Sequence, residues 1–256
     1  MKSGFKLITL FLLAAVSFTA CKLDDDGDDI NNIGNFWMGY ADVQLIENSE
    51  NFNLILDDGS VMEVRLMIFD FPEGYVLRDG MRVIANFSKI DESVVDGEIH
   101  WLVRLNGLKE VLSKKPVYSQ DLSEEEVGED SLEIRKMWLS GKYLNTSFRL
   151  YYRDAEIKHF INLWVNEDHP KADENNVYVE LRHNAYGDAE INDAYGRASF
   201  DISELIPEGK SSVTVHVSYT DYSGRTVGPV SKAYSLNINE EPGDLQVKLE
   251  PDANIY

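Results

Sequence analysis

The chain contains 256 residues, of which 45 are acidic and 24 are basic, so its formal net charge is −21. This charge excludes nucleic acids and anionic lipid headgroups as direct partners, because both are bound through clusters of lysine and arginine. The single cysteine, Cys21, excludes an internal disulfide framework. The length suffices for two hydrophobic cores.

The first twenty residues have the pattern of a secretory signal peptide. Lys2 and Lys6 precede the apolar run Leu7–Val16, which is too short to cross a membrane as a helix. Small residues then lead into Cys21, and this junction resembles the lipobox of bacterial lipoproteins, although Phe18 replaces the usual aliphatic residue. We therefore predict a signal peptide over 1–20 and lipidation of Cys21.

An acidic stretch, Asp24–Asp29, follows directly and predicts a solvated tether over 21–35. Its alternating aspartates resemble half of a calcium loop, but the downstream glutamate that such a loop needs is missing. An acidic run behind a lipidated cysteine also resembles the surface-export signal of Bacteroidetes lipoproteins. We expect the anchor to lie in the outer membrane and the protein to face the cell exterior, with a periplasm-facing protein as the alternative.

Short alternating strands joined by tight turns predict a small antiparallel β-barrel over 36–118. Asp57-Asp58-Gly59-Ser60 and Asp79-Gly80 are the clearest turns. The alternating stretches are Phe52–Leu56, Met62–Ile68, Met81–Phe87 and Ile99–Leu105.

The charged segment Ser119–Asp130 predicts an exposed linker, in which Ser123 and Glu126 fit the capping box of at most one helical turn. About seven further short strands, between Leu144 and Ile238, predict an antiparallel β-sandwich over 131–239. The acidic, proline-containing segment 240–256 predicts a loose tail. The predicted fold class is therefore all-β, with a barrel followed by a sandwich and a monomeric chain.

The distribution of reactive side chains gives little support to an enzyme. The five histidines do not have metal-ligand spacing, and the chain contains neither a Gly-x-Ser-x-Gly elbow nor a glycine-rich phosphate loop. His159 alternates with Ile157 and Ile161, which predicts an inward, hydrogen-bonded side chain, whereas His216 should face solvent. We predict no catalytic residues, no metal and no cofactor.

The densest group of mixed polar side chains lies at the end of a predicted strand and in the turn that follows. Such groups could bind a small polar ligand, or they could cap strand ends and satisfy the backbone of the loop. Alternation should place Arg182 and Asn184 on one side of the strand and His183 on the other. The candidate binding residues are Arg182, His183, Asn184, Tyr186 and Asp188.

The whole chain, in order, resembles the NigD-like lipoproteins of Bacteroidetes. The stretches that carry the resemblance are Asp79-Gly80-Met81-Arg82-Val83, Ser140-Gly141-Lys142-Tyr143-Leu144-Asn145, His159-Phe160-Ile161-Asn162-Leu163, Glu180–Asp188 and Ser199-Phe200-Asp201. The resemblance implies an OB-type barrel, a C-terminal β-sandwich and an association with bacteriocin production, but it brings no catalytic residues.

These observations favour a non-enzymatic binding module that is held to the membrane by its N-terminal lipid. Its partner would be an unidentified protein, such as a bacteriocin, or a glycan. The alternatives are a structural surface component of the fimbrial type and a glycan-binding accessory lipoprotein. The sequence lacks a basic processing site between Leu23 and Val64, which the fimbrial alternative would need.

Overall fold

The computed structural model describes residues 36–95, 97–235 and 243–245. The described residues form one compact unit, built almost entirely of strands, so the predicted all-β class is confirmed. The predicted signal peptide (1–20), the lipidation site Cys21 and the tether (21–35) lie outside the described residues. Within the described ranges, no helix is long and apolar enough to span a membrane.

The first half folds into a closed five-stranded barrel with the order β1-β2-β3-β5-β4. This is a Greek-key barrel of the OB type, and the predicted OB-like barrel is confirmed. Its strands are β1 (Trp37–Leu45), β2 (Phe52–Leu56), β3 (Val61–Met67), β4 (Arg82–Val95) and β5 (Glu98–Glu110).

The barrel core forms because alternate residues of each strand point inward. On β4, for example, Val83, Ala85 and Phe87 are buried, and on β5 Val103 and Leu105 are buried. Burying each large apolar side chain contributes about 1.5–3 kcal/mol. The alternating apolar side chains that predicted the strands therefore also stabilise the barrel.

The second half is a sandwich of two five-stranded sheets, with the orders β15-β8-β9-β12-β6 and β14-β13-β11-β10-β7. Apolar side chains from both inner faces form one core between the sheets. The strands are β6 (Leu112–Lys114), β7 (Val117–Tyr118), β8 (Glu133–Ser140), β9 (Tyr143–Tyr152), β10 (Phe160–Val165), β11 (Asn176–Asn184), β12 (Asn192–Asp201), β13 (Ser212–Thr220), β14 (Thr226–Ser235) and β15 (Gly243–Leu245).

The prediction of purely antiparallel sheets needs a correction. Four pairs run parallel, namely β3 with β5, β6 with β12, β7 with β10 and β11 with β13. Alternation reports which face of a strand is buried and carries no information about the direction of its neighbour.

The boundary between barrel and sandwich also differs from the prediction. Strands β6 and β7, which were assigned to the barrel (36–118), pair with sandwich strands instead. The junction lies at Val111, which is buried between β5 and β6. At the other end, backbone pairing of β15 with β8 contradicts a loose tail at residues 243–245.

Residues Ser119–Asp130 form a strap across the sandwich rather than an exposed linker. The expected capping box is present, because Ser123 and Glu126 bond each other's backbone N–H at the start of the one-turn helix α1 (Glu124–Val127). Val127 is completely buried. The Leu122 carbonyl accepts a hydrogen bond from the Trp164 indole at 3.0 Å. The strap therefore belongs to the sandwich.

Barrel and sandwich meet around the guanidinium of Arg82, whose side chain has no exposed surface. Its two terminal nitrogens donate to both carboxylate oxygens of Asp57, at 2.5 and 2.8 Å, and Nη1 also lies 3.3 Å from Asp42. All three residues belong to the barrel. This paired arrangement lets a full positive charge be buried.

The sandwich covers the same guanidinium from the other side. The ring of Tyr143 lies 3.9 Å from the guanidinium carbon, and Asn145 Oδ1 and Ser199 Oγ each lie 3.4 Å from its nitrogens. Burial alone would lower the pKa of Arg82, but Asp57 and Asp42 raise it above its usual value. The guanidinium therefore stays charged at the junction.

Tyr143 and Gly141 of the sandwich also lie against the barrel residues around Arg82. Burial and the Asp42 carboxylate raise the pKa of Tyr143 to about 12, so its hydroxyl keeps its proton and donates to Asp42 at 3.0 Å. Gly141 has a φ of 53°, and a Cβ there would lie 2.9 Å from the Asp57 carbonyl oxygen. Three of the stretches that carry the family resemblance, at 79–83, 140–145 and 199–201, thus meet at one junction.

We predict that Arg82→Ala lowers the free energy of unfolding by about 3 kcal/mol, because it leaves two partly buried carboxylates without their cation. Arg78→Ala is the matched control, since Arg78 pairs with Glu110 on the same barrel but its side chain is 54% exposed. The control should cost no more than about 1 kcal/mol. Equal losses in the two variants, measured by chemical denaturation, would contradict a special role for Arg82.

Candidate functional site

The candidate binding residues occupy the end of β11 and the turn that follows. The predicted alternation of Arg182 and His183 is observed, because they point to opposite faces of the sheet and meet different neighbours. Both are nevertheless buried, with 7% and 2% of their surfaces exposed. The segment therefore does not present its side chains together to solvent.

Arg182 lies on the outer face of its sheet beneath the strap. Its guanidinium is 2.7 Å from Glu180 and 5.0 Å from the centre of the Trp164 ring. Two carboxylates of the strap segment, Glu129 and Glu124, lie 3.8 and 4.0 Å away. Arg182 thus holds the strap on the sheet by charge and by stacking.

His183 begins a buried chain of hydrogen bonds. Its Nδ1 lies 2.9 Å from the Ser131 carbonyl oxygen, and its Nε2 lies 3.0 Å from Nδ1 of His159. The other nitrogen of His159 lies 3.2 Å from the Asp188 carboxylate. We call His159 and His183 the histidine pair. The prediction that His159 is an inward, hydrogen-bonded histidine agrees with this geometry.

The acceptors at the two ends of the chain fix two of its protons. The Ser131 carbonyl can only accept, so Nδ1 of His183 carries one proton. The Asp188 carboxylate also accepts, so Nε2 of His159 carries another. The bond between the two rings needs one further proton, on one of the two facing nitrogens. Burial lowers the pKa of His183, the hydrogen bond to Ser131 opposes this shift, and the neighbouring His159 lowers the pKa further.

Asp188 organises the turn as well as the histidine pair. Its carboxylate accepts backbone N–H groups of Arg153 at 3.0 Å, Asp154 at 3.2 Å and Ala189 at 2.9 Å. Burial would raise the pKa of Asp188, but these donors together with His159 lower it. The Asp188 carboxylate thus connects the residues that follow β9, the turn after β11 and the histidine pair.

Of the two remaining candidates, Asn184 has a side chain with a structural role and Tyr186 has an exposed side chain. Asn184 donates to the Glu126 carbonyl at 3.1 Å and accepts the Tyr186 N–H at 2.9 Å. Tyr186 adopts a left-handed φ of 52° and is 58% exposed. Its ring packs edge-on against Phe160, which is 43% exposed. Within the candidate segment, Tyr186 is the side chain placed to meet a partner.

Sequence reasoning missed the pairing of His159 with His183 because they are far apart in the chain. Strands β10 and β11 are antiparallel, with Ile161 opposite His183. A hairpin alignment of these two strands across their polar loop would have placed the two rings close together. The residues that the structure describes contain no cluster of three or more potential metal ligands.

A second histidine cluster lies on the outer face of the same sheet. The ring of Tyr178 is sandwiched between His169 and His216, with ring centres 3.8 and 4.3 Å apart. His216 also contacts Ser231 at 2.7 Å and Asn176 at 3.0 Å. The predicted outward position of His216 agrees with this arrangement, in which neighbouring side chains cover much of the ring.

The lowered pKa of His183 predicts a dependence of stability on pH. Since the folded chain resists protonation of this ring, stability should be full above about pH 6.5 and should fall as the pH is lowered through the reduced pKa. One such proton corresponds to at most about 1.4 kcal/mol per pH unit. His183→Gln should flatten the profile measured by denaturation at successive pH values. His100→Gln, in the barrel beside Glu63, should leave it steep; a slope unchanged in both variants would refute the assignment.

Comparison with known structures shows a similar fold in proteins of Bacteroides and Parabacteroides. A provisionally assigned toxin-related protein of Parabacteroides distasonis is 25% identical, with a TM-score of 0.63, over 80% of this chain and 96% of that one. A NigD-like immunity protein of Bacteroides caccae is 15% identical, with a TM-score of 0.57, over 79% and 97%. A provisionally assigned lipoprotein of Bacteroides fragilis is 11% identical, with a TM-score of 0.51, over 80% and 100%.

The similarity to the two structures of lower identity, from Bacteroides caccae and Bacteroides fragilis, establishes the fold alone. No curated protein gives a significant match. The model of the NigD-like C-terminal β-sandwich domain matches residues 115–235. This range runs from β7 to the end of β14 and includes the strap, the histidine pair and the candidate turn. The match agrees with the resemblance read from the sequence, and residues 115–235 form a NigD-like C-terminal β-sandwich domain.

Proposed function

We propose that this protein is a lipoprotein of the bacterial cell envelope that acts as a non-enzymatic binding module for another protein. The observation that carries the proposal is the position of Cys21, the only cysteine, directly behind a signal-like segment. Lipidation there would hold the folded unit at a membrane through a solvated tether. The fold similarity to the provisionally assigned lipoprotein of Bacteroides fragilis supports this anchoring.

A protein partner is favoured over a small substrate by how the polar side chains are used. The charged and titratable groups of the candidate turn are engaged in internal contacts, as Arg182, His183 and Asp188 illustrate. The same turn exposes the aromatic ring of Tyr186, which packs against the exposed ring of Phe160 at the start of β10. Aromatic side chains on loops of a rigid scaffold are typical of protein recognition.

The partner class that we propose is a secreted protein of the bacteriocin type. Two similar structures carry names that support this class, one as a toxin-related protein and one as an immunity protein. Acidity supports a partner with basic groups, since opposite charge accelerates association. The tether sequence Asp24–Asp29 further supports display on the outer face of the outer membrane.

We predict that the wild-type chain fractionates with membranes and that Cys21→Ala either accumulates with its signal uncut or loses lipid attachment. The reason is that two or more acyl chains anchor a protein far more firmly than one. Incorporation of labelled palmitate, followed by fractionation, measures both steps. Labelling of the Cys21→Ala chain equal to that of wild type would refute the anchor.

The side of the membrane and the binding role are tested with the same cells. A protease that cannot enter intact cells should remove the wild-type protein, and Asp24→Ala, Asp25→Ala and Asp26→Ala together should protect it. Affinity capture from native membranes should recover a specific protein with the lipidated chain. Resistance of the wild type on intact cells, with digestion after lysis, would contradict surface display.

A further inference from the structure

The hairpin of β4 and β5 extends beyond the closed barrel, and one of its strand edges has no partner among the described residues. Strand β1 pairs with β4 only as far as Phe87, opposite Trp37. From Ser88 to Val95 no strand among the described residues pairs with the second edge of β4, while β5 covers its first edge. We call Ser88–Val95 of β4, with Glu98 and Ile99 of β5, the tip hairpin. Its open edge offers backbone N–H and C=O groups to an added strand.

The tip hairpin also exposes apolar side chains. Val94 and Ile99 lie directly opposite each other and are 68% and 42% exposed. Ile90 and Val95 are 55% and 46% exposed. Beside an open strand edge, such side chains can pack against alternate residues of an added strand.

The charges on the tip hairpin select the kind of strand that can be added. Asp91, Glu92 and Glu98 are exposed, and Lys89 is already paired with Glu92 at 2.5 Å. The tip hairpin therefore carries more carboxylates than cations, and the whole chain has a net charge of −21. A second copy would bring the same carboxylates, and an anionic lipid surface would also be repelled.

We propose that the tip hairpin binds an extended, cationic and amphipathic segment of the partner protein by adding it as a strand to the open edge of β4. Basic residues of that segment pair with Asp91 and Glu98, and its apolar residues pack on Val94 and Ile99. The inference rests on the proposed binding function and names the surface and the chemistry that it uses.

The test uses the chain from residue 22 onward, which lacks the predicted signal peptide and Cys21. The ligand is a synthetic peptide of alternating lysine and valine residues that is as long as the open edge. Calorimetric titration should detect binding that weakens as salt is raised from about 0.05 to 0.5 M. A peptide of alternating glutamate and valine should not bind. Val94→Ser with Ile99→Ser should weaken binding about tenfold or more, because the apolar contact is lost.

The matched control is Val76→Ser, which removes an equally exposed (67%) apolar side chain from the barrel outside the tip hairpin. It should leave binding unchanged, and the unfolding midpoints of both variants should match the wild type. Equal binding by the double variant and the wild type, or no binding by either, would overturn the proposal.

Two other results would reassign the tip hairpin. Neutral lipid vesicles that bind the wild type and not the double variant would indicate a membrane contact, and self-association lost in the double variant would indicate a dimer. Both results would overturn the proposal. If a partner captured from native membranes binds the double variant normally, the binding function stands and only its assignment to the tip hairpin fails.

Discussion

The buried guanidinium of Arg82 is the constraint on which the arrangement of the two domains depends. A charge without exposed surface is tolerated only where carboxylates and hydrogen-bond acceptors surround it. Here the barrel supplies Asp57 and Asp42, and the sandwich supplies Tyr143, Asn145 and Ser199. Separating the domains would expose this pairing to water and would remove the stacking ring. The cluster therefore sets the position of one domain on the other as well as their stability.

A second set of internal contacts holds the strap and the candidate turn on the sandwich. Arg182 fastens the strap from outside the sheet, and the histidine pair with Asp188 fastens the turn from within. The polar side chains that the sequence suggested as binding residues thus stabilise the fold. Among the described residues, exposed apolar side chains include the aromatic pair Tyr186–Phe160 on the sandwich and those of the tip hairpin on the barrel.

Alternating apolar residues predicted most strands and the order of barrel and sandwich, and the family resemblance implied the OB type of the barrel. The role of Arg82 could not be predicted in this way, because its neighbour Val83 faces the core and Arg82 therefore reads as a solvent-facing residue. Only docking of the sandwich buries it. The strap was misread for a similar reason, since its charges are exposed while Val127 is buried beneath them. The histidine pair depends on strand register, which a residue pattern does not encode.

Differential scanning calorimetry of the mature chain tests the central claim most directly, namely that the Arg82 junction makes barrel and sandwich one cooperative body. The account predicts one transition whose calorimetric enthalpy equals the van't Hoff enthalpy. Two separable transitions in the wild type, or a calorimetric enthalpy well above the van't Hoff value, would show that the domains unfold independently and would contradict it.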